Sequence, residues 1–588
     1  MFSYNIFPSF VYRRVVPNIF DFLAFILVMG IMIMLFRSVQ ETTVPCDIVD
    51  IVPITLDVYS LPKYASRTTL RMLIAIVVSL LFTFIYATLA AKSRRLGMVL
   101  IPILDIMQSI PILGFLTFTV IYFISLYPGR VIGAEFAAIF AIFTSQVWNM
   151  TFSMYQSLCN IPKDLEEVSR SFRLSGWQKF WNLDVPFSIP GLVWNMMISM
   201  SGGWFFVVAA EMIVVGDTVI SLPGIGSYVA LAIKERSLVS VLYAMLTMVG
   251  VILLYDQLLF RPIIAWSNKF RLERTTAVHS SDPWVLYLFR KTNFLRFLGH
   301  SSYKIILPLS CNFNKLYRLF KYIQFYFPDN LGLFSCNKKI SYILDIVWFL
   351  AVYSIVMGIA WKSFEYIIDN LGYYDILYVF WLGCITMLRV VILIIIATII
   401  WVPIGVWIGM RPHIASKIQP FAQFLAAFPS NIFFPLVVSI IFYYDLDPNI
   451  WLSSLMILGT QWYILFNIIA GTSALPNDFK EVVQSFHVTD WYRWRYVILP
   501  GIFPFYVTGA ITACGGAWNA SIISEVASWG NIYLRATGLG AYIAESTETG
   551  NFPKVALGIL VMCCFVLFLN IFLWRPLYRY SARHLRCS

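Results

Sequence analysis

The sequence predicts an all-α integral membrane protein with about twelve transmembrane helices in two homologous halves. Three observations lead to this prediction: an apolar composition, a series of long apolar runs, and a polar segment that occurs twice. Sixty per cent of the 588 residues are hydrophobic, 12% are charged and the mean hydropathy is +0.77. Soluble globular proteins do not reach such values. Runs such as Met72–Ala91 and Val555–Trp574 approach the roughly 20 residues that a helix needs to cross a bilayer.

The apolar runs divide the chain into twelve predicted spans, six on each side of a polar centre. The predicted spans are residues 19–37, 68–91, 98–125, 131–155, 187–215, 239–262, 342–361, 380–409, 417–443, 450–471, 501–528 and 553–576. Alternate loops are rich in Lys and Arg, as in Lys92, Arg94 and Arg95. Because basic loops stay in the cytoplasm, this pattern predicts that both termini are cytoplasmic.

The net charge of +12 does not require a nucleic-acid partner, since basic loops of a membrane protein supply it. Residues 266–340 are basic and aromatic and contain no predicted span, so we interpret them as a connector lying on the inner leaflet of the lipid bilayer. The nine cysteines include no CxxC pair. Neither a disulfide framework nor a metal site is therefore expected.

A polar segment at residues 161–186 recurs 314 positions later at residues 475–500, without a gap. The identical pairs are Pro162/Pro476, Asp164/Asp478, Glu167/Glu481, Val168/Val482, Ser171/Ser485, Phe172/Phe486, Trp177/Trp491 and Pro186/Pro500. The alternating basic loops place both copies in the cytoplasm, so the repeat is parallel. The predicted domains are a first half at 1–265, the connector at 266–340 and a second half at 341–588.

The repeat continues outside this segment. At the same offset, Glu211 and the Gly224-Ile-Gly226 sequence match Glu525 and Gly538-Leu-Gly540. At an offset of 318 the matches are Thr68/Thr386 and Arg71/Arg389. The two halves are therefore homologous over about five spans each.

The first copy of the polar segment reads as two short helices. Its first helix should run to about Phe172, and Ser175 with Gln178 forms a capping box for the second helix. Pro186 and Pro500 are expected to end the second helix of each copy and to start the next span. The product is a protruding helix–turn–helix with apolar side chains exposed or half exposed. Two such units can dock in two equivalent grooves of a symmetric partner.

The segments Glu167…Pro186 and Glu481…Pro500 resemble the EAA loop of permease subunits in ABC importers. The sequences of Leu174–Trp181 and Asn195–Glu211 are similar to those of the nitrate, sulfonate and taurine branch of that family. The resemblance implies the type I permease fold, a bacterial inner (plasma) membrane location and a small anionic solute such as sulfonate, taurine or nitrate.

The resemblance also implies the partners. Two cytosolic ABC ATPase subunits would bind ATP and Mg, and an external solute-binding protein would deliver the solute. No cofactor and no catalytic residue is expected in this chain, which contains no GxxxxGK[ST] phosphate loop. The residues expected to dock the ATPases are Asp164, Glu167, Val168, Phe172, Trp177, Asp478, Glu481, Val482, Phe486 and Trp491. The family's glycine six positions after the glutamate is Arg173 or His487 here, which is expected to alter the turn.

Two other classes stay open. An ion-coupled secondary transporter would use acids near the membrane midplane, and a membrane scaffold would recruit proteins through the connector. Glu211 and Glu525 are candidates for a pathway or gate, but we favour interfacial acids bonded to backbone or Arg. Trp204 and Trp518 are candidates for the same role, but we favour packing aromatics.

Overall fold

A computed structural model describes residues 54–584 except for 110–111, 129–130, 216–217, 271–283, 293–337, 474, 476–484, 487–489 and 530–531, together with Phe22, Met29 and Gly30. The described residues form two compact units. The smaller unit holds the described residues of 1–37, 160–193 and 254–351, and the larger unit holds those of 38–159, 194–253 and 352–588. The larger unit therefore contains helices from both sequence halves. The predicted domain boundaries at 265 and 341 remain a prediction.

The described part of the first half is helical apart from one β-hairpin. Its helices are α1 Leu61–Lys92, α2 Arg94–Ser109, α3 Ile112–Leu126, α4 Ile132–Cys159, α5 Lys163–Ser171, α6 Gly176–Lys179, α7 Val185–Ala210, α8 Ile225–Lys234, α9 Leu238–Tyr255 and α10 Arg261–Ser267. The hairpin pairs β1 Met212–Val215 with β2 Thr218–Ser221 in antiparallel register, so that Met212 lies opposite Ser221.

The second half follows a short connector helix, α11 Trp284–Lys291. Its helices are α12 Lys338–Asn370, α13 Tyr373–Gly409, α14 Pro412–Ala427, α15 Phe434–Tyr443, α16 Pro448–Leu458, α17 Gln461–Ser473, α18 Asp490–Arg493, α19 Leu499–Ser524, α20 Leu539–Glu548, α21 Phe552–Leu569 and α22 Arg575–His584. Its hairpin pairs β3 Val526–Trp529 with β4 Ile532–Arg535.

The two halves repeat their secondary structure at the offset of 314 that relates their sequences. The hairpin β3–β4 starts and ends at the residues equivalent to those of β1–β2. Short π-helical turns at Phe180–Asp184 and Asp256–Phe260 recur at Trp494–Ile498 and Asn570–Trp574. The duplication is therefore a property of the fold as well as of the sequence.

Within the described ranges, six helices are long and apolar enough to cross a membrane, or up to eight if each bent pair is one span. This confirms an all-helical membrane protein with two repeats, and the number of twelve spans stays a prediction. The predicted span at 19–37 lies outside the described residues except for three positions. The predicted span at 417–443 is bent by 75° near Phe428, and that at 450–471 is bent by 41° between Leu458 and Gln461.

Two predicted spans were too long. The span predicted at 187–215 ends as a helix at Ala210, and that predicted at 501–528 ends at Ser524. In each case the chain turns into the hairpin, where β-branched residues such as Ile213 and Val214 favour strand geometry. An apolar run read by hydropathy alone does not separate these two conformations.

The prediction that Pro186 and Pro500 separate two helices was also wrong. Gly176–Ala210 and Trp491–Ser524 are each one continuous helix. Each proline lies in the first turn after a π-helical turn, and the N–H of Val185 donates to the carbonyl of Phe180 across the wider π ring. Proline has no N–H to donate, and the widened π-helical turn directly before it accommodates this break in the hydrogen-bond pattern, so the helix continues.

One apolar cluster of the larger unit lies in the second half. Buried side chains of α13, α17, α19 and α21 pack there, among them Val390, Ile468, Trp518 and Met562. A second cluster brings α8 and α9 of the first half against α15 and α16 of the second half through Ala232, Val241, Val438 and Leu452. Both halves are thus packed into one body within this unit.

Candidate functional site

The first copy of the repeated segment folds as the predicted helix–turn–helix. Helix α5 ends at Ser171, close to the predicted end. The N–H of Leu174 donates to the carbonyl of Ser169 at 3.1 Å and that of Arg173 to Arg170 at 2.9 Å, which is a Schellman motif. Arg173 adopts φ 48°, the left-handed region that favours glycine. The arginine therefore adopts a glycine-type backbone conformation, and the expectation that Arg173 alters the turn stays a prediction.

Two polar contacts hold the second helix of this copy. The predicted capping box is confirmed, since Ser175 and Gln178 each accept a hydrogen bond from the other's backbone N–H. The Lys179 ammonium lies 2.8 Å from the Glu166 carboxylate and joins the two helices. This lysine lowers the pKa of Glu166 by hydrogen bonding and by its charge.

The docking candidates of the first copy lie on the outside of this helix pair. Val168 is 49% exposed and Phe172 is 67% exposed. Asp164 and Glu167 are exposed as well, whereas Trp177 is half-buried. The Trp177 indole meets that of Trp181 edge to face, with 5.7 Å between the ring centres. The prediction of exposed or half-exposed apolar side chains is confirmed for this copy.

The second copy is described in part. Phe486 is 77% exposed and Trp491 is 71% exposed. Asp478, Glu481 and Val482 lie outside the described residues. The two phenylalanines that the repeat pairs, Phe172 and Phe486, are therefore both on the surface of the chain.

A buried ionic cluster in the larger unit brings together the other residues that the repeat singled out. The Arg71 guanidinium donates twice to Glu135, at 2.6 and 2.7 Å, and once to Glu211, at 2.7 Å. The Thr68 hydroxyl donates to Glu211 at 2.6 Å, and the N–H of Gly226 donates to its other oxygen at 2.6 Å. The interpretation of Glu211 as an acid bonded to Arg and backbone agrees with this geometry.

The glycines beside the cluster are required for space. Gly224 adopts extended backbone, but a Cβ there would lie about 2.2 Å from the Glu211 carboxylate carbon. A Cβ at Gly538 would likewise lie about 2.4 Å from the Glu525 carboxylate carbon. A side chain at either glycine would displace the buried acid. The repeated Gly-x-Gly sequence is therefore part of the carboxylate's binding site.

The second half repeats this cluster with one change. Thr386 donates to Glu525 at 2.9 Å, Arg389 donates to Glu525 at 3.3 Å, and the N–H of Ala541 donates to Glu525 at 3.0 Å. Arg389 also donates to the amide oxygen of Asn449 at 3.2 Å. Asn449 stands 314 positions after Glu135. The second carboxylate of the first half is thus an amide in the second half.

The tryptophan candidates are structural in this geometry. Trp204 and Trp518 are each almost completely buried. The Trp518 ring stacks on Phe565 with 6.4 Å between the ring centres. Neither tryptophan, nor Glu211 or Glu525, is among the residues that line the cavity described next.

A cavity of about 860 Å³ lies within the larger unit, and both halves line it. Equivalent positions face it in pairs, such as Asn149 with Tyr463 and Gly202 with Gly516. The Tyr463 hydroxyl lies 3.5 Å from the Ser201 hydroxyl of the other half. Sequence reasoning did not assign these residues to a cavity. For Asn149 with Tyr463 the signal available was the pairing at the offset of 314, which is weak because the two residue types differ.

No group of three or more His, Cys, Asp or Glu that could hold a metal ion occurs among the residues the structure describes. The chemistry of the described sites is therefore that of contact surfaces, ion pairs and a polar cavity.

Comparison with known proteins gives two matches to one family model. The family is described as "Binding-protein-dependent transport system inner membrane component", and the model matches residues 79–261 and again residues 401–586. The two matches cover more than half of the chain. They fall on the two halves that the internal repeat defines.

Several curated proteins are similar to this chain. The nitrate import permease protein NrtB of Leptolyngbya laminosa is 24% identical over 191 residues, which are 32% of this chain and 65% of that protein. The bicarbonate transport system permease protein CmpB of Synechococcus elongatus is 23% identical over 193 residues, 33% of this chain and 66% of that protein. NrtB of Synechocystis is 29% identical over 170 residues, 29% of this chain and 56% of that protein. The chain thus spans somewhat less than two thirds of the length of each.

Proposed function

Because the chain belongs to the family of binding-protein-dependent transport system inner membrane components, we propose that it forms the translocation pathway of an ABC importer for a small anion. Two cytosolic ATPase subunits bind the segments 161–186 and 475–500, and they bind and hydrolyse ATP with Mg. A solute-binding protein delivers the solute from outside. The permease itself performs no hydrolysis.

The observation that carries this proposal is the pair of equivalent exposed phenylalanines. Phe172 and Phe486 are 67% and 77% exposed at positions that the repeat relates. A large apolar side chain left in water costs about 1.5–3 kcal/mol relative to burial. Two equivalent sites on one chain suit a partner with two equivalent grooves, such as a pair of identical subunits.

The fold supports a mechanical coupling between the docking segments and the membrane helices. The second helix of the first copy continues without interruption into Gly176–Ala210, and that of the second copy into Trp491–Ser524. Each long helix ends next to a buried acid, Glu211 or Glu525. Closure of the ATPase pair would draw the two docking segments together, and the attached helices would carry this movement through both halves.

The solute is inferred from the relatives. The three relatives described above are named as nitrate or bicarbonate permeases, so we propose a small inorganic anion of this kind, with sulfonates such as taurine as the wider class. An ion-coupled secondary transporter is the alternative. Glu211 and Glu525 are each bonded to an arginine and do not line the cavity, so these acids give no specific support to ion coupling.

The test is co-purification of this chain with the cytosolic ATPase subunits of the cell that produces it. In the full-length chain, Phe172→Asp together with Phe486→Asp should abolish recovery of the ATPase and uptake of nitrate by the complete system. A negative charge on each exposed ring position removes the apolar contact and adds desolvation cost. Each single variant should retain partial binding, because one docking site remains.

Tyr443→Asp is the matched control. Tyr443 is 80% exposed at the end of α15, on the side that the charge pattern places outside the cell. This variant should leave ATPase recovery unchanged. Equal recovery of the ATPase with the double variant and with wild type would refute the proposed docking.

A further inference from the structure

We infer that the solute crosses the cavity of the larger unit on the side of Asn149 and Gly515, and that Tyr463 closes the opposite side, next to Ser201. This inference rests on the proposed function and assigns the route within it. It follows from a difference between two places that the repeat makes equivalent. At one of them the two halves are in contact, and at the other the cavity is open.

The Tyr463 side chain spans the space between two long helices that line the cavity. Its hydroxyl lies 3.5 Å from that of Ser201 on α7, and a Cβ at Gly202 of the same helix would lie 3.4 Å from the Tyr463 hydroxyl. The Cε2 atom of the Tyr463 ring would lie 3.7 Å from a Cβ at Gly516 on α19. Tyr463 therefore reaches from the long helix of its own half to that of the other half.

A second contact joins α7 to the second half on the same helix face. The side-chain amide of Asn431 donates to the carbonyl of Phe205 at 3.1 Å. Ser201 and Phe205 are four residues apart on α7, so they lie on one face of this helix. A solute cannot pass between atoms that are already in contact. These two contacts therefore close this side of the cavity.

The equivalent place on the other side of the cavity is open. Gly515 stands 314 positions after Ser201, and Asn149 stands 314 positions before Tyr463. Gly515 and Asn149 both line the cavity, and a Cβ at Gly515 would meet no atom of the described residues within 4 Å. Glycine has no side chain and asparagine is shorter than tyrosine. These two residues therefore cannot repeat the contact of Ser201 with Tyr463.

This difference displaces the route from the centre of the cavity. Residues that a parallel repeat relates lie around a pseudosymmetry axis, which runs along the membrane normal. Tyr463 and Asn149 are such a pair, and both line the cavity. With a contact on one side of the axis and an opening on the other, the space available to a solute lies toward Gly515.

The open side also carries a group that an anion in transit can use. The side-chain oxygen of Asn149 accepts a hydrogen bond from the Gln108 amide at 2.8 Å. The NH₂ group is therefore the part of the Asn149 side chain that can bind a solute. A neutral donor replaces water around an anion without holding it as an opposite charge would, which suits passage. No Asp or Glu is among the described residues that line the cavity.

The experiment adds bulk on the open side. Gly515→Ala, Gly515→Leu and Gly515→Trp are made in the full-length chain and produced with the ATPase and the binding protein. Uptake of labelled nitrate, bicarbonate and taurine is then measured. Uptake should fall as the side chain grows, and by about tenfold for Gly515→Trp, because the indole occupies the route. Recovery of the ATPase should stay at the wild-type level, because both docking segments are unchanged.

Gly250→Trp is the matched control. Gly250 lies on α9, and a Cβ there would also meet no atom of the described residues within 4 Å, but Gly250 does not line the cavity. The same substitution should therefore leave uptake close to that of wild type. Tyr463→Phe removes the hydroxyl on the closed side and should likewise leave uptake close to that of wild type.

Wild-type uptake in Gly515→Trp would overturn the inference. Equal losses in Gly515→Trp and Gly250→Trp, or a loss of about tenfold in Tyr463→Phe, would do the same. If Gly515→Trp lowers recovery of the ATPase, the smaller and more flexible Gly515→Leu decides by the same criteria.

The proposed function and this route fail in different ways. If the wild-type system takes up none of the three solutes, the proposed function is refuted and the route with it. If wild type and Gly515→Trp take up a solute equally well, the proposed function stays in place and the route alone is refuted.

Discussion

In the first half the guanidinium of Arg71 lies between two carboxylates, whereas in the second half Arg389 contacts one carboxylate and the amide of Asn449. The contacts of Arg71 are 2.6–2.7 Å long, and those of Arg389 are 3.2–3.3 Å. The side chain of Arg71 is 3% exposed and that of Arg389 is 14% exposed. The same duplicated site is thus closed and charged in one half and looser in the other.

Duplication therefore preserved the arrangement of the site but not the strength of its contacts. In both halves a threonine, an arginine and a glycine-rich turn hold the acid that follows a long helix. Hydrogen bonds between charged groups are about twice as strong as neutral ones, and they are stronger still when buried. We therefore expect the contacts of the first-half cluster to be stronger. Those of the second-half cluster should break first when the halves move.

Removing the arginine of each cluster should give the largest effect. Arg71→Met leaves two buried carboxylates without their cation, which should cost about 3–5 kcal/mol of the free energy of unfolding. Arg389→Met leaves one acid that keeps its hydroxyl and backbone donors, and should cost about 1–3 kcal/mol. The apparent melting temperature of the purified chain, followed by tryptophan fluorescence, should fall further for Arg71→Met.

Arg535→Met is the control for this comparison. Arg535 is half exposed and paired with the equally exposed Glu545 at 3.0 Å, and such surface pairs contribute about 0–1 kcal/mol. Its melting temperature should stay close to that of wild type. Equal losses for Arg71→Met and Arg389→Met would show that the two clusters do not differ in strength.

Sequence reasoning paired most residues of the two clusters and missed one position, which Glu135 occupies in the first half and Asn449 in the second. Glu211, Glu525, Arg71 and Arg389 were recognisable because they are identical in the two halves. The carboxylate of Glu135 was not, because its equivalent is Asn449 and a comparison by identity discards such a pair. The difference between the two clusters comes from this pair of residues. Only the structure shows that Glu135 and Asn449 contact equivalent arginines.

Features that depend on residues close in sequence were predictable. The end of α5 and the capping box of Ser175 with Gln178 depend on neighbours within a few residues, and both are confirmed. The hairpins and the cavity depend on which helix faces meet, which hydropathy does not encode. The positive φ of Arg173 was missed for a related reason, because the surrounding turn imposes it against the preference of the residue.

A second comparison concerns the turn after α8 and its equivalent after α20. Arg236 adopts φ 55° and Gly550 adopts φ 66° at equivalent positions. In each turn the N–H of the next residue donates to the carbonyl five positions earlier. Ser237 donates to Ala232 and Asn551 donates to Ser546, both at 2.9 Å. The turns are therefore alike, and only the first one places a non-glycine residue in the left-handed region.

Exchanging the residue types should shift stability in opposite directions. Arg236→Gly should stabilise the chain by about 0.5–1 kcal/mol, because relief of left-handed strain outweighs the greater freedom of glycine in the unfolded state. Gly550→Ala should destabilise it by about 1 kcal/mol. Gly250→Ala is the control, since a Cβ there meets no atom within 4 Å and the helix gains propensity. A destabilising Arg236→Gly would contradict the strain argument.

The smallest expected effect distinguishes the two docking segments. Glu166 and Lys179 form an ion pair in the first copy, at 2.8 Å, whereas the equivalent residues of the second copy are Lys480 and Arg493, which cannot pair. The pKa of Glu166 is lowered by Lys179. The pair therefore contributes stability that is fully present above the unfolded pKa of about 4.3 and is lost as the pH falls through the lower folded value.

Because both side chains are partly exposed, the contribution should be about 0.5 kcal/mol at most. Amide hydrogen exchange of residues 163–179, corrected for intrinsic rates, should show about twofold less protection at pH 3 than at pH 7. Lys179→Met should reduce protection at pH 7 by the same factor and remove the further loss on acidification. An acid-induced loss that persists in Lys179→Met would assign the pH dependence to another group, and the ion pair would then not explain any difference between the two docking segments.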